Sequence, residues 1–82
     1  MKVTSTTEIA SILLELSQTH DDLDITDVTT IVGTSCEIID IINSDKFSGF
    51  NAQNIVIDDD IDSNKLSFIQ ENTTATIVQT QK

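Results

Sequence analysis

The charge of this chain constrains its fold more than any other feature. Fourteen acidic residues are opposed by four lysines and no arginine, so the formal net charge is −10 over 82 residues. Because like charges repel one another in a compact state, a stable fold has to keep these side chains in solvent. Isoleucine, valine, leucine and phenylalanine still make up 26 residues, which exceeds the roughly 20% below which highly charged chains stay disordered. We therefore expect residues 1–82 to form a single small acidic domain with a thin core.

The same composition argues against several classes of function. Phosphate neutralisation supplies most nonspecific affinity for nucleic acid, and a chain with four lysines cannot provide it. No stretch approaches the roughly 18 apolar residues of a membrane span, and anionic lipid repels an acidic surface. The single Cys36 cannot form an internal disulfide, which suits a reducing compartment. We expect a cytoplasmic protein that binds neither nucleic acid nor membrane. Abundant Ile, Asn and Asp with no Arg or Pro are typical of AT-rich genomes such as phage genomes, which would place it in the host cytoplasm.

The N-terminal part of the chain predicts a helix. Ser5 and Glu8 have the spacing of a capping box, in which each side chain satisfies a backbone amide of the other. Apolar residues then follow at helical spacing up to His20. The pattern predicts a helix from about Thr6 to about Thr19.

Residues 25–43 have two open interpretations. Their apolar side chains fall on one broad face at helical spacing, which predicts a long amphipathic helix. Gly33 lies in the middle of this stretch, and glycine inside a helix costs about 1 kcal/mol relative to alanine. The alternative is therefore a break at Gly33 that produces two short helices.

The C-terminal part changes to strand periodicity. Residues 55–57 are β-branched, residues 58–64 are rich in turn formers, residues 65–69 alternate, and residues 73–80 are rich in threonine. A hairpin across the aspartates followed by a third strand explains this order, and no internal repeat is evident. The whole chain then predicts an α+β fold with two or three N-terminal helices followed by a β-hairpin or small antiparallel sheet.

Residues 28–43 resemble the helix-turn-helix pattern. The positions that fit the pattern are Val28, Val32, Gly33, Ser35, Ile39 and Ile42. With a helix before it and a hairpin after it, the chain resembles the winged-helix superfamily. The resemblance implies a left-handed turn at Gly33 and a helix capped by Ser35. In that family the second helix of the motif enters the DNA major groove, but here it offers Glu37 and Asp40 and no cation.

No residue pattern predicts an enzyme or a bound metal. Cys36 and His20 could act as nucleophile and base, but no third orienting group is evident, and one His with one Cys does not make a zinc site. Residues 60–71 match an EF-hand calcium loop at four positions and lack its glycine and its apolar anchor. We expect a solvated acidic turn there, with no catalytic residue, no metal and no cofactor.

The acidic residues suggest a binding function. Our leading hypothesis is a small acidic protein-binding module that docks on a basic, nucleic-acid-binding protein. In its sharpest form it is a phage-type inhibitor whose carboxylates mimic phosphates in a basic groove. The predicted partner-binding residues are Glu37, Asp40, Asp58, Asp59, Asp60, Asp62, Ile38 and Ile41. An ordinary acidic domain whose charge only maintains solubility explains the composition as well.

The alternative function uses the apolar helix instead of the charge. Ile38 and Ile41 belong to a run of isoleucines that buries more than one side of a helix. The helix is packed between the first helix and the sheet, or its spare side contacts a partner helix or a second copy in a homodimer. In the second case the protein would be a helix-turn-helix-derived adaptor that contacts transcription proteins. Salt would distinguish the two functions, because only the acidic module should lose affinity steeply.

Overall fold

Three helices are interleaved with six strands along the described chain. The structure is a computed structural model that describes residues 1–80. The elements in chain order are β1 (Thr7–Ile9), α1 (Ala10–Ser17), β2 (Leu23–Asp24), β3 (Thr30–Gly33), α2 (Ser35–Asn43), β4 (Phe47–Ser48), β5 (Asn54–Ile57), α3 (Ser63–Asn72) and β6 (Thr76–Gln79).

Four of the strands form a parallel sheet in which chain order and spatial order agree. The order is β1-β3-β5-β6, and every neighbouring pair is parallel. Thr7 pairs with Thr30, Thr30 with Asn54, and Asn54 with Thr76, so each partner follows the last by 22–24 residues. A strand and a helix recurring at this interval define the coils of a short α/β solenoid, in which each coil packs on its neighbours.

A second ladder runs through the first coils and then stops. β2 pairs with β4 in parallel, and Lys2 forms a bridge with Asp24 on the other side of β2. The connections from α1 to β3 and from α2 to β5 are long, over residues 18–29 and 44–53. The first contains β2 and the second contains β4. After α3 only residues 73–75 precede β6. The last coil therefore has no strand beside β4.

The core lies between the main sheet and the helices. Inward side chains of β3 and β5 (Ile31, Ile55, Ile57) meet the buried faces of the helices, because strand residues alternate between the two faces of a sheet. The fully buried or nearly buried apolar residues are Val3, Ala10, Leu13, Leu23, Ile25, Val28, Ile31, Ile38, Ile41, Ala52, Ile55, Ile57 and Ile69.

The outer face of the main sheet carries a row of apolar side chains in register. Ile9 pairs with Val32, Val32 with Val56, and Val56 with Val78. The two ends of the row, Ile9 and Val78, are 49% and 41% exposed. The β-branched residues that suggested helical spacing in the sequence thus divide between two faces of a sheet.

The predicted fold class is wrong: the chain is α/β with a parallel sheet, and no antiparallel hairpin follows the helices within residues 1–80.

The predicted helix over residues 6–19 begins only at Ala10. Glu8 lies in β1 and pairs with Ile31, so the capping box with Ser5 does not form. Pairing with β3 provides residues 7–9 with backbone hydrogen bonds that a first helical turn would leave unmade.

The helical interpretations of residues 25–43 are both wrong for the first half of that stretch. Thr30–Gly33 is β3, and only Ser35–Asn43 is helical. The helix-turn-helix geometry therefore does not form, and Gly33 does not have a positive φ. Glycine is needed there for space, because a Cβ atom would lie 2.6 Å from the Cβ of Ala10.

The predicted hairpin across the aspartates is also wrong. Asp58–Asp62 connect β5 to α3, and residues 65–69 are helical instead of forming a strand. Asp62 begins the helix by accepting a hydrogen bond from the backbone N–H of Lys65 at 2.8 Å. The strands predicted at residues 55–57 and 73–80 are confirmed in β5 and β6, but they pair in parallel.

Candidate protein-binding surface

Most of the acidic side chains lie in solvent and lack a cationic neighbour. In the described chain Lys2 pairs with Asp27 at 3.7 Å, and Lys46 pairs with Asp21 at 3.2 Å. Ten of the fourteen acidic residues are exposed: Glu15, Asp21, Asp22, Asp27, Asp40, Asp45, Asp58, Asp60, Asp62 and Glu71. The surface is therefore strongly negative, with little internal compensation.

Glu37 has a structural role at the start of α2. Its backbone N–H donates to the hydroxyl oxygen of Thr34 at 3.2 Å, and its Oε1 accepts from the backbone N–H of Thr34 at 3.0 Å. These two bonds form a complete capping box. Glu37 is half-buried, so its carboxylate is committed to the helix.

Asp59 connects two successive coils. Its Oδ1 accepts from the backbone N–H of Ser35 at 2.8 Å, and its Oδ2 accepts from the Ser35 hydroxyl at 3.3 Å. Ser35 is fully buried, so this carboxylate satisfies a polar residue inside the fold. The structure thus brings Glu37 and Asp59 together at the N-terminus of α2, where the helix dipole favours negative charge.

The third acidic cap lies beside a lysine. Asp62 caps α3, as described above, and the ammonium of Lys65 donates to the sulfur of Cys36 at 3.6 Å. This contact joins the first turns of α2 and α3. Of the six predicted partner-binding acids, Glu37, Asp59 and Asp62 therefore hold the fold together.

The other three predicted acids have no such task. Asp40, Asp58 and Asp60 are exposed, and their side chains make no hydrogen bond or ion pair within residues 1–80. Asp40 lies on α2 one turn beyond Glu37, and the other two lie in the connection from β5 to α3. These carboxylates are free to contact another molecule.

The predicted apolar contacts are in the core. Ile38 and Ile41 are 1% and 2% exposed. They lie on the buried face of α2, where Ile38 is enclosed by the core and Ile41 borders a cavity at the end of the helix. A homodimer through the other side of this helix stays a prediction.

The carboxyl group of Asp24 has a lowered pKa. The hydroxyl of Thr26 donates to Oδ1 of Asp24 at 2.6 Å, and the backbone N–H of Thr26 donates to the same atom at 3.0 Å. These two bonds lower the pKa of Asp24 below its ordinary value of 3.8, because they stabilise the charged form.

The segment that matches an EF-hand, residues 60–71, does not form a calcium-binding loop. Most of residues 60–71 belong to α3, and residues 1–80 contain no group of three or more His, Cys, Asp or Glu side chains placed to hold a metal ion. His20 is held at the end of α1 by contacts with Leu16 and Thr19, while Cys36 contacts Lys65.

A groove between the ends of α2 and α3 is a feature that the sequence interpretation missed. Two cavities of about 420 Å³ and about 250 Å³ adjoin there and share Phe50 and Asn72. We call this feature the Phe50 groove. It is lined by Ile41, Ile42, Ser44, Phe47, Phe50, Asn51, Ala52, Gln70, Glu71, Asn72, Thr73 and Thr74. The two phenylalanines on either side of Gly49 were the only sequence signal for it.

Comparison with known proteins adds no family. No protein-family model, no curated protein and no solved structure matches the chain. In the described part of the chain, no helix is long and apolar enough to cross a membrane.

Proposed function

We propose that this protein is a small acidic binding module that docks on a basic surface of another protein. The observation that supports this most is the exposure of ten acidic side chains, of which two pair with lysines. Such a surface produces a negative potential that attracts a cationic partner and speeds association. The affinity and the association rate for such a partner should fall steeply as the salt concentration increases.

The free carboxylates are the best candidates for contact with the partner. Asp40, Asp58 and Asp60 can accept hydrogen bonds from lysine or arginine without giving up a bond that the fold needs. Glu37, Asp59 and Asp62 are weaker candidates, because each already accepts a backbone N–H that the fold uses.

A finer form of the proposal concerns the kind of partner. A nucleic-acid-binding protein presents lysines and arginines that respond to charge density, so carboxylates can replace phosphates there. In this form the protein is an inhibitor that acts in the cytoplasm. If the protein is viral, this is the cytoplasm of the host cell. The helix-turn-helix-derived adaptor has less support, because Ile38 and Ile41, through which it would contact transcription proteins, are buried.

The test compares two variants with equal changes in charge. Asp58→Asn with Asp60→Asn removes two free carboxylates of the proposed surface, and Glu15→Gln with Asp22→Asn removes two exposed carboxylates elsewhere. Each variant is immobilised beside the wild type and exposed to lysate at about 0.1 M and about 1 M salt, where the Debye length is about 10 Å and about 3 Å. Retained proteins are identified by mass spectrometry.

The proposal predicts a basic protein that the wild type and the Glu15/Asp22 variant retain at low salt only. The Asp58/Asp60 variant should retain several-fold less of it. Displacement of that protein by duplex DNA would support the inhibitor form. Equal retention by the two variants, or retention that persists at high salt, would contradict the proposed surface.

A further inference from the structure

The Phe50 groove lies where the repeating architecture lacks a strand. The second ladder proceeds from Lys2 to Asp24 and then to Ser48, one coil at a time. The next strand of this ladder would lie in the connection from α3 to β6. That connection is only residues 73–75 and contains no strand. The groove fills the space between this short connection and residues 50–52. It is therefore a vacant strand position within the fold.

The open side of β4 has backbone groups available to a new strand. The N–H of Leu23 donates to the carbonyl of Lys46 at 2.8 Å, and the N–H of Ile25 donates to the carbonyl of Ser48 at 2.9 Å. Successive residues of a strand direct their backbone groups to opposite sides. The N–H and C=O of Phe47 therefore point away from β2, to the side of β4 that no described strand occupies.

The lining of the groove suits a peptide in two ways. The smaller cavity has an apolar floor formed by Ile41, Ile42, Phe47 and Phe50, with room for an aliphatic side chain. The larger cavity is bordered by amide and hydroxyl side chains that can bond to peptide backbone.

The charge at the groove favours a basic peptide. Glu71 lines it and is exposed, and the exposed Asp45 lies two residues before β4. Their carboxylates can pair with lysine or arginine on either side of an apolar residue.

We propose that the Phe50 groove binds an extended, basic segment of the partner protein, which adds as a strand beside β4 and places one apolar side chain against Phe50. Strand addition of this kind takes its affinity from backbone hydrogen bonds and its specificity from pockets for alternate side chains. The basic character of the segment rests on the proposed function, whereas strand addition rests on the vacant position alone.

A defined peptide tests the proposal directly. The probe is the blocked peptide Lys-Lys-Thr-Val-Thr-Val-Thr-Lys-Lys, with an analogue N-methylated at the central amides and another that carries Glu in place of Lys. We expect the probe to slow hydrogen exchange of the Phe47 amide by about tenfold or more, and the N-methylated analogue to have no effect. Protection of Phe47 without peptide that increases with protein concentration would show a second copy in the groove and overturn the proposal.

A groove-filling variant supplies the second measurement. Asn72→Trp places a large ring at the end of α3, and Asn43→Trp places the same ring at the matching end of α2, outside the groove. We expect about tenfold weaker probe binding for Asn72→Trp and unchanged binding for Asn43→Trp. If Asn72→Trp lowers the melting temperature too far for binding to be measured, Glu71→Gln with Glu15→Gln as its control replaces it.

The outcomes separate this inference from the proposed function. No binding of the probe, or binding without protection of Phe47, would overturn strand addition and leave the acidic surface untouched. If the Lys and Glu peptides bind equally well and both protect Phe47, strand addition is supported. The claim that the bound segment is basic is then overturned. Failure of the lysate experiment would remove the acidic surface without affecting the protection of Phe47.

Discussion

At the scale of single residues, the fold depends on a close approach between successive coils at Gly33. An added Cβ atom would lie 2.6 Å from the Cβ of Ala10 and 3.1 Å from Oε1 of Glu37. The first distance can be relieved only by moving the backbone of α1 or β3, because Ala10 has no flexible side chain.

Gly33→Ala should therefore destabilise the protein by about 1–3 kcal/mol, which is the usual cost of an overpacked core. Urea unfolding measures the change. The double variant Ala10→Gly with Gly33→Ala should recover part of the loss, because it removes the opposing methyl group. A Gly33→Ala protein that is as stable as the wild type would show that Gly33 and Ala10 do not approach each other this closely.

Asp24 provides a prediction about pH. Its pKa in the folded protein is lowered by the bonds from Thr26, whereas the unfolded chain has the ordinary value of 3.8. A group with a lowered folded pKa contributes stability above the unfolded value and loses it as pH falls through the folded value. Thr26→Val removes the hydroxyl donor, so the pKa of Asp24 followed by NMR should rise. An unchanged titration would mean that the hydroxyl bond does not persist in solution.

At the scale of elements, the acidic segment between β5 and α3 is part of the framework and not a uniform solvated turn. Asp59 accepts two bonds from Ser35 at the start of α2, while Asp58 next to it is exposed. Adjacent residues of the same type therefore have opposite roles, which composition alone could not reveal.

Asp59→Asn should cost about 1 kcal/mol or more, because the amide keeps one acceptor oxygen where the carboxylate offers two, and a charge near the helix N-terminus is lost. Asp58→Asn is the matched control and should be neutral or slightly stabilising, since it only removes a repelling charge. Thermal unfolding of the two variants gives the comparison. Equal stabilities would contradict the coil-to-coil bond.

The sequence predicted some elements and misassigned others for identifiable reasons. The strand at residues 55–57 and much of α2 follow from local pattern. The pattern predicts a helix at residues 30–33 because consecutive apolar residues such as Ile31 and Val32 fit the broad apolar face of a helix as well as the two faces of a buried parallel strand. The coils were missed because their length varies between 22 and 24 residues and no residue type recurs at every step. The Phe50 groove lies where a strand is missing, so no residue pattern in the sequence predicts it.

At the scale of the whole molecule, the negative charge opposes the compact state. The formal charge of −10 is spread over a surface with two lysine ion pairs among residues 1–80. Repulsion between exposed carboxylates is screened by salt, whereas the buried core and the caps are not affected much.

The melting temperature should therefore rise as salt increases from about 0.1 M to about 1 M, as the Debye length shrinks from about 10 Å to about 3 Å. The Asp58/Asp60 variant should start from a higher melting temperature and gain less. A melting temperature that falls with salt would indicate that ion pairs stabilise the fold more than repulsion weakens it.

The central claim is that the free carboxylates attract a basic partner, and the most direct test is the rate of association. Stopped-flow mixing with the retained basic protein is measured for the wild type, the Asp58/Asp60 variant and the Glu15/Asp22 variant at both salt concentrations. We predict the slowest association and the weakest salt dependence for the Asp58/Asp60 variant, because local charge controls the encounter rate. Association rates that are the same for the three proteins, or that do not fall with salt, would contradict the claim.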